Sequence, residues 1–337
     1  MCLDVRAAIM YTRWNSYPEY LKRKYGYPID RIGVDGGFNC PNRTNAHQGG
    51  CTFCDGTGSV AVYQRNTESG YFRNSSYEEG VARNILDRFA SIENQIEKGK
   101  RFIRERYSAK EYALYFQSWT NTYDSSEHLK KIYDKALCYG PFREFIISTR
   151  PDCVDDEVCA LLSSYQTKNM EVWVELGLQS ANDDTLKRIN RGHDSKCYVE
   201  AVERLHRYGL RISTHIILGL PYEKRENYIK TVEMVNYVKG EGVKIHNLHI
   251  TGGTCMADEY LDGNFTISSE ERHLENAELA LRYLNPDIVV QRLICETPMH
   301  RLVAPRSFPD KSLFLSHLEK RMIENNTRQG DLYESKG

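Results

Sequence analysis

The chain has 337 residues, 40% hydrophobic and 27% charged, with 45 Lys and Arg against 46 Asp and Glu for a net charge of −1. That is enough apolar material for a sizeable core, which excludes a disordered chain or a small disulfide scaffold, and the balanced charge excludes a global basic field for nucleic acid or anionic membrane. No run approaches the roughly 18 apolar residues of a membrane span; the N-terminus, MCLDVRAAIMYTRW, carries no secretory pattern, so the ten Cys point to a reducing, cytoplasmic setting.

Strand-like and helix-like segments alternate along the chain. Residues 31–36 read as a short strand leaving on glycines. Residues 76–97 read as a helix, with Ser76 and Glu79 as a capping box and Val81, Ile85 and Phe89 on one face. A strand at 112–118, a helix at 126–138, a strand at 142–149 and a helix at 155–165 follow. The fourth strand, EVWVELGLQ (171–179), places Val172, Val174, Leu176 and Leu178 on one face and Glu171, Trp173, Glu175 and Gln179 on the other. A helix at 195–208 ends at Gly209. The strand at 211–221 sets Ile212, Ile216 and Leu218 against Ser213 and His215, and a helix at 224–239 leads to a strand at 243–250. The tail adds a helix, a strand at 287–294 and a last helix near 310–325.

Strand–helix alternation over more than 200 residues predicts a parallel α/β sheet. Strands with one apolar and one polar face suit a barrel whose helices cover the outside and whose lumen holds a ligand. The expected domains are an N-terminal extension (1–30), a barrel (31–252) and a small C-terminal α/β extension (253–337).

The strongest chemical signal is FNCPNRTNAHQGGCTFC, which sets Cys40, Cys51 and Cys54 in the loop after the first strand, where parallel α/β folds place active sites. Three thiolates can hold three irons of a cubane cluster and leave the fourth open. His47 would make the same stretch a four-ligand zinc site, and three unrelated buried thiols are the third reading.

The Cys-x-aromatic-Cys at 51–54 resembles the cluster loop of the radical S-adenosylmethionine (SAM) superfamily. VELGLQSANDDTLKRINRGH (174–193) and THIILGLP (214–221) are similar to fourth- and fifth-strand motifs of the branch containing the elongator catalytic subunit and oxygen-independent coproporphyrinogen oxidase. RWNSYPEYLKRKYG, GGFNCPNR, YFQSWTNTY, STRPDCV and VVQRL resemble the YhcC-like group, over roughly residues 13–325.

The resemblance implies a partial (β/α)6 TIM-like barrel, one [4Fe-4S] cluster on Cys40, Cys51 and Cys54, and SAM as cosubstrate. It implies reductive cleavage of SAM by an electron from a flavodoxin- or ferredoxin-like partner. The resulting 5′-deoxyadenosyl radical would abstract hydrogen from an unidentified substrate. Gln179 and Ser180 would meet the cosubstrate at the end of the fourth strand, Arg191 its carboxylate, Phe53 its adenine, His215 its ribose and Gln117 its amino end. Ser148 and Thr149 stand where related enzymes can carry a carboxylate, and the second strand lacks the common Gly-Gly-Glu exit.

Cys255 and Cys295 follow the last barrel strands, where the YhcC-like group tends toward other residues; they are candidates for a hydrogen-atom relay, with packing as the plain alternative. The basic run KGKRFIRERYSAK (98–110) could meet RNA phosphates, but a solvated helix end is the favoured reading. A non-catalytic metal-binding barrel and a tRNA-modifying enzyme remain as alternatives.

Overall fold

The computed structural model describes residues 13–45, 48–56, 85–107 and 110–335. The alternation resolves into one seven-stranded parallel sheet: β1 (Ile29–Val34), β2 (Glu111–Phe116), β3 (Glu144–Thr149), β4 (Glu171–Gln179), β5 (Arg211–Leu218), β6 (Gly242–Asn247) and β7 (Val289–Arg292). Each strand lies beside the next in sequence, the arrangement of a singly wound barrel. The sheet is curled into an incomplete barrel. Arg31 on β1 donates through Nη2 to Gln291 Oε1 on β7 at 2.8 Å, although six strand spacings would separate these edges by roughly 29 Å in a flat sheet. The strand read at 287–294 therefore joins the main sheet as its seventh member instead of standing apart in the tail.

The helices are α1 (Tyr17–Tyr25), α2 (Ile85–Tyr107), α3 (Ser126–Leu137), α4 (Asp156–Ser164), α5 (Asp183–Arg188), α6 (Ser195–Arg207), α7 (Arg225–Tyr237), α8 (Cys255–Leu261), α9 (Glu270–Tyr283) and α10 (Lys311–Glu324). Local chemistry sets several ends. Asp155 and Asp194 cap α4 and α6 by accepting from Val158 N and Cys197 N, both at 2.8 Å. α2 runs ten residues beyond the expected end at 97 because its apolar stripe continues through buried Ile92, Ile96 and Ile103. Ser76, Glu79 and Val81, the expected start of this helix, lie outside the described residues, as does His47.

Period-two alternation sorts the strands into two faces. Outward residues, among them Ile32, Phe116, Ile147, Val174, Ile216 and Ile245, pack under the helices in one continuous core. Inward residues at the N-terminal end, Tyr115, Ile146, Trp173 and Val289, pack with Tyr17 and Leu21 of α1. That helix plugs the bottom of the barrel, so the open end lies at the strand C-termini. The short strand Ile250–Thr251 turns out of the barrel and pairs antiparallel with Leu302–Ala304. Near the N-terminal edge, Gln329 N donates to Arg13 O at 2.8 Å, which ties the two ends of the described chain together.

Candidate active site at the open end of the barrel

Cys40, Cys51 and Cys54 sit in the loop leaving β1. A hairpin of Arg43–Asn45 with Gln48–Gly49 spans the gap between the first two. Backbone bonds fix the loop: Arg43 N to Cys40 O at 3.0 Å, Cys54 N to Cys51 O at 2.9 Å and Thr52 N to Ile189 O at 2.9 Å. Asn42 Nδ2 donates to Asn190 O at 2.6 Å, and Asn190 Nδ2 donates to Gly50 O at 2.7 Å. This clasp brings the turn after α5 against the loop. Gly192 permits the approach, for its φ is +81° and a Cβ there would lie 2.6 Å from Asn42 Oδ1 and 3.0 Å from Arg150 Nη2.

Cys51 is buried and Cys40 and Cys54 are half-buried. Cys51 Sγ accepts from Arg191 Nη1 at 3.5 Å and Asn42 Nδ2 at 3.8 Å. Burial pushes the Cys54 thiol up, with Arg43 opposing it. Arg150, buried in the segment after β3, is held by Asp152 through two 2.8 Å bonds and feels Cys40 and Cys51 electrostatically. Arg150 Nη1 and Arg191 Nε are buried donors with no hydrogen-bond partner among the described residues. Two guanidinium groups with spare donors beside three thiols fit an anionic thiolate cluster and a carboxylate ligand. Among the described residues no three Cys, His, Asp or Glu side chains converge on a single ion; a cubane asks instead for one thiolate per iron.

The end of β4 is shaped to receive Arg191. Its register with β5 shifts between Gly177 and Gln179, and Gln179 takes φ +72°, a strained conformation of the kind found at binding sites. Arg191 Nη2 donates to Gly177 O at 2.6 Å. A Cβ on Gly177 would lie 2.5 Å from Arg191 Nη2 and 2.7 Å from Gln179 Nε2, so the glycine makes room for both side chains. At the exit of β2, Ser118 and Trp119 adopt φ of +74° and +64°, the left-handed backbone that a glycine pair adopts without strain. The Arg43 guanidinium lies over the Trp119 ring at 5.5 Å.

Below this mouth the lumen holds a charged network. Glu175, 1% exposed, accepts from Lys244 Nζ at 2.6 Å, His215 Nε2 at 2.9 Å, Arg31 Nη1 at 3.2 Å and Ser148 Oγ at 3.2 Å. Lys244 Nζ also donates to Tyr115 OH at 3.2 Å and lies 4.5 Å from the ring centroid. Burial by itself would raise the Glu175 carboxyl, but Lys244, His215 and Arg31 hold it well below the usual carboxylate range. Burial lowers the His215 imidazole to about 4 despite Glu175. His215 is therefore neutral at pH 7, its Nε2–H donates to the carboxylate, and its Nδ1 remains an acceptor. Gln117, Ser148, His215, His246 and Arg292 all retain some accessible surface, whereas their outward neighbours Phe116, Ile147, Ile216 and Ile245 are 0–1% exposed. The upper lumen is thus a cavity above a packed floor.

The family description "Radical SAM superfamily" matches residues 39–235, and "Radical SAM C-terminal domain" matches residues 241–324. The chain belongs to the radical SAM superfamily. It is 31% identical to the uncharacterized protein YtqA of Bacillus subtilis (strain 168), over 96% of this chain and 93% of that one. It is 32% identical to protein YhcC of Escherichia coli (strain K12), over 93% and 94%. Its fold resembles that of the N-terminally deleted archaeal Elp3 of Methanocaldococcus infernus, with TM-score 0.62 and 20% identity over 72% of this chain and 60% of that one. Radical SAM membership implies a [4Fe-4S] cluster and SAM and supports an enzyme; no helix among the described residues is long and apolar enough to cross a membrane.

In this radical SAM chain the tertiary structure gathers most of the residues singled out from the sequence. Arg191 and Gln179 meet over Gly177. Gln117 and His215 face the lumen, the latter engaged by Glu175. Ser180 Oγ accepts from Asn182 N at 3.0 Å and donates to Glu223, so its hydroxyl braces the β4 exit. The Phe53 ring packs on a small apolar cluster with Leu186, Ile189 and Met256. Cys255 is exposed in the first turn of α8, while Cys295 donates through its thiol to Asn247 O at 3.2 Å, its pKa pushed up to about 12 by burial. Arg31, Arg150, Lys244, His246 and Arg292 escaped the sequence reading. For Lys244 and His246 the signal was present in the alternation of VKIHNLHI (243–250).

Proposed function

We propose that the chain reductively cleaves SAM at a [4Fe-4S] cluster held by Cys40, Cys51 and Cys54 and directs the 5′-deoxyadenosyl radical at a substrate in the upper lumen. Arg191 carries this reading: one guanidinium nitrogen contacts Cys51 Sγ and another the Gly177 carbonyl, so the thiol loop is seated over the lumen. Cluster and cosubstrate supply the one-electron cleavage chemistry when bound.

The chain's own residues do the rest. Asn42 and Arg191 stabilise the Cys51 thiolate by donating to it. The spare donors on Arg191 and Arg150 receive the cosubstrate carboxylate. Gln179 and Gln117 offer amides to its polar groups, and His215 Nδ1 accepts a hydroxyl hydrogen at the floor of the cavity. Phe53 walls the loop and Ser180 holds the β4 exit through Glu223. In this reading residues 31–252 together with β7 (Val289–Arg292) form the catalytic barrel, and an external flavodoxin- or ferredoxin-like protein delivers the electron.

The test is anaerobic reconstitution, an iron and sulfide count, and chromatography for 5′-deoxyadenosine after adding dithionite and SAM. About four irons per chain are expected, with deoxyadenosine from the intact protein and none from Cys40, Cys51 and Cys54 alanine variants. Zinc in place of iron, with no cleavage, would sink the reading and favour a non-catalytic metal-binding barrel.

A further inference from the structure

The β6–β7 wall of the lumen carries more positive charge than the cofactor site uses. Among the described residues of the upper lumen, Arg31 and Lys244 pair with one carboxylate, Glu175, and Arg292 acts on Lys244 from beside them, while the exposed Glu296 acts on neighbouring Cys295. The acids Glu144 and Glu171 belong to the lower layer, where they bind Tyr17 and the pair Lys24 and Arg211. Arg31 and Lys244 both bond to Glu175. The Arg292 side chain makes no hydrogen bond or ion pair with any described residue.

Arg292 is in register with Lys244 across the β6–β7 ladder, so the two side chains share the lumen face. Of the charges around His246 and around Cys295, Arg292 acts most strongly on each. His246 lies two residues beyond Lys244 on the same face. Its Nε2 is buried with no partner among the described residues, and its ring centroid lies 5.2 Å from that of His215. A guanidinium bonded to no described side chain and a buried imidazole nitrogen without a partner among the described residues therefore lie on one side of the upper lumen.

We propose that Arg292 and His246 bind an acidic group of the substrate, a carboxylate or a phosphate, at the β6–β7 side of the barrel mouth. A guanidinium meets such an oxyanion with two parallel N–H donors, a neutral imidazole adds a third through Nε2–H, and the negative charge offsets the cationic excess of the upper lumen. The substrate is thereby anchored opposite the β4 exit where Arg191 and Gln179 lie. This names a substrate class for the radical reaction proposed above and rests on that reading, but the anion site itself needs neither reduction nor cleavage.

The probes are inorganic phosphate and malonate, titrated calorimetrically into oxidised, reconstituted protein with and without SAM. One saturable site that persists with SAM present is expected for at least one probe. It should weaken about tenfold or more in R292Q, recover only in part in R292K, which keeps the charge but not the planar donor pair, and stay unchanged in R272Q, which alters an exposed arginine paired with Glu275. H246F carries the same comparison should R292Q not fold. Equal binding by wild type and R292Q, or no saturable site for either anion, overturns the proposal. The Cys variants decide SAM cleavage separately, so loss of one reading is distinguishable from loss of the other.

Discussion

Replacing Glu175 by Gln removes the one carboxylate among the described residues that bonds both Lys244 and Arg31. The carboxylate accepts from Lys244 at 2.5 and 2.6 Å, and from His215, Arg31 and Ser148 within 3.2 Å. Glu175 and Lys244 are each 1% exposed, so solvent cannot replace the lost charge. Breaking a buried pair by removing one partner costs about 3–5 kcal/mol, chiefly because an uncompensated charge stays behind. At about 2 °C per kcal/mol, the low end for large domains, the melting point should fall by roughly 6–10 °C. Lys244→Met should cost a similar amount, and the Glu175→Leu/Lys244→Met double variant should cost less than the sum of its single changes, by about 0.5–3 kcal/mol.

Urea unfolding of the cluster-free protein measures these terms, with Trp173 in the layer below as a fluorescent reporter. The pH dependence gives a second check. Because the folded Glu175 carboxyl lies well below its ordinary value, its contribution is full above the unfolded pKa of about 4.3 and is lost only as pH falls through the lower folded value. The difference between wild type and Glu175→Gln should therefore hold constant from about pH 8 to about pH 5 and shrink in acid. A cost below about 1 kcal/mol, the size of an ordinary surface change, would refute the account of the lumen as a tightly paired network; so would strict additivity in the double variant.

Three further outcomes follow from the mouth of the barrel. Gly177→Ala should leave the iron content intact but weaken SAM binding by about tenfold or more, because the new methyl displaces Arg191 or Gln179; unchanged binding by equilibrium dialysis would remove the role given to this glycine. Arg191→Lys should weaken SAM binding by about 10–100-fold, since an ammonium cannot hold Cys51 Sγ and Gly177 O together and still offer a planar donor pair. Exposed Lys98, Arg101 and Arg104 lie on the outer end of α2; changing all three to Gln should alter neither SAM cleavage nor retention on immobilised tRNA at physiological salt. Retention by wild type that disappears in this triple variant would mark the helix end as an RNA-binding surface.

Much of the site was legible because its signals are local. Cys40, Cys51 and Cys54 lie within one loop, and Gln179 and Arg191 fall within one strand–turn–helix unit, so spacing alone brings them near the end of β4. The two faces of β4 and β5 were equally plain, because pleating alternates side chains whatever the strand pairs with. The exit of β2 was not, since no composition rule places Ser118 and Trp119 in left-handed backbone.

The sequence by itself determined the strand–helix alternation, which side of β4 and β5 is apolar, and the thiol loop beyond β1. Only the tertiary structure decided which inward polar residues meet. Glu175 finds Arg31 at a separation of 144 residues and Lys244 at 69, and Cys51 finds Arg191 at 140. Alternation says that each of these side chains points inward, but their partners depend on the curl of the sheet and the register of each ladder. Those are set by the packing of all the helices on the outer face at once, a quantity that no short stretch of sequence contains.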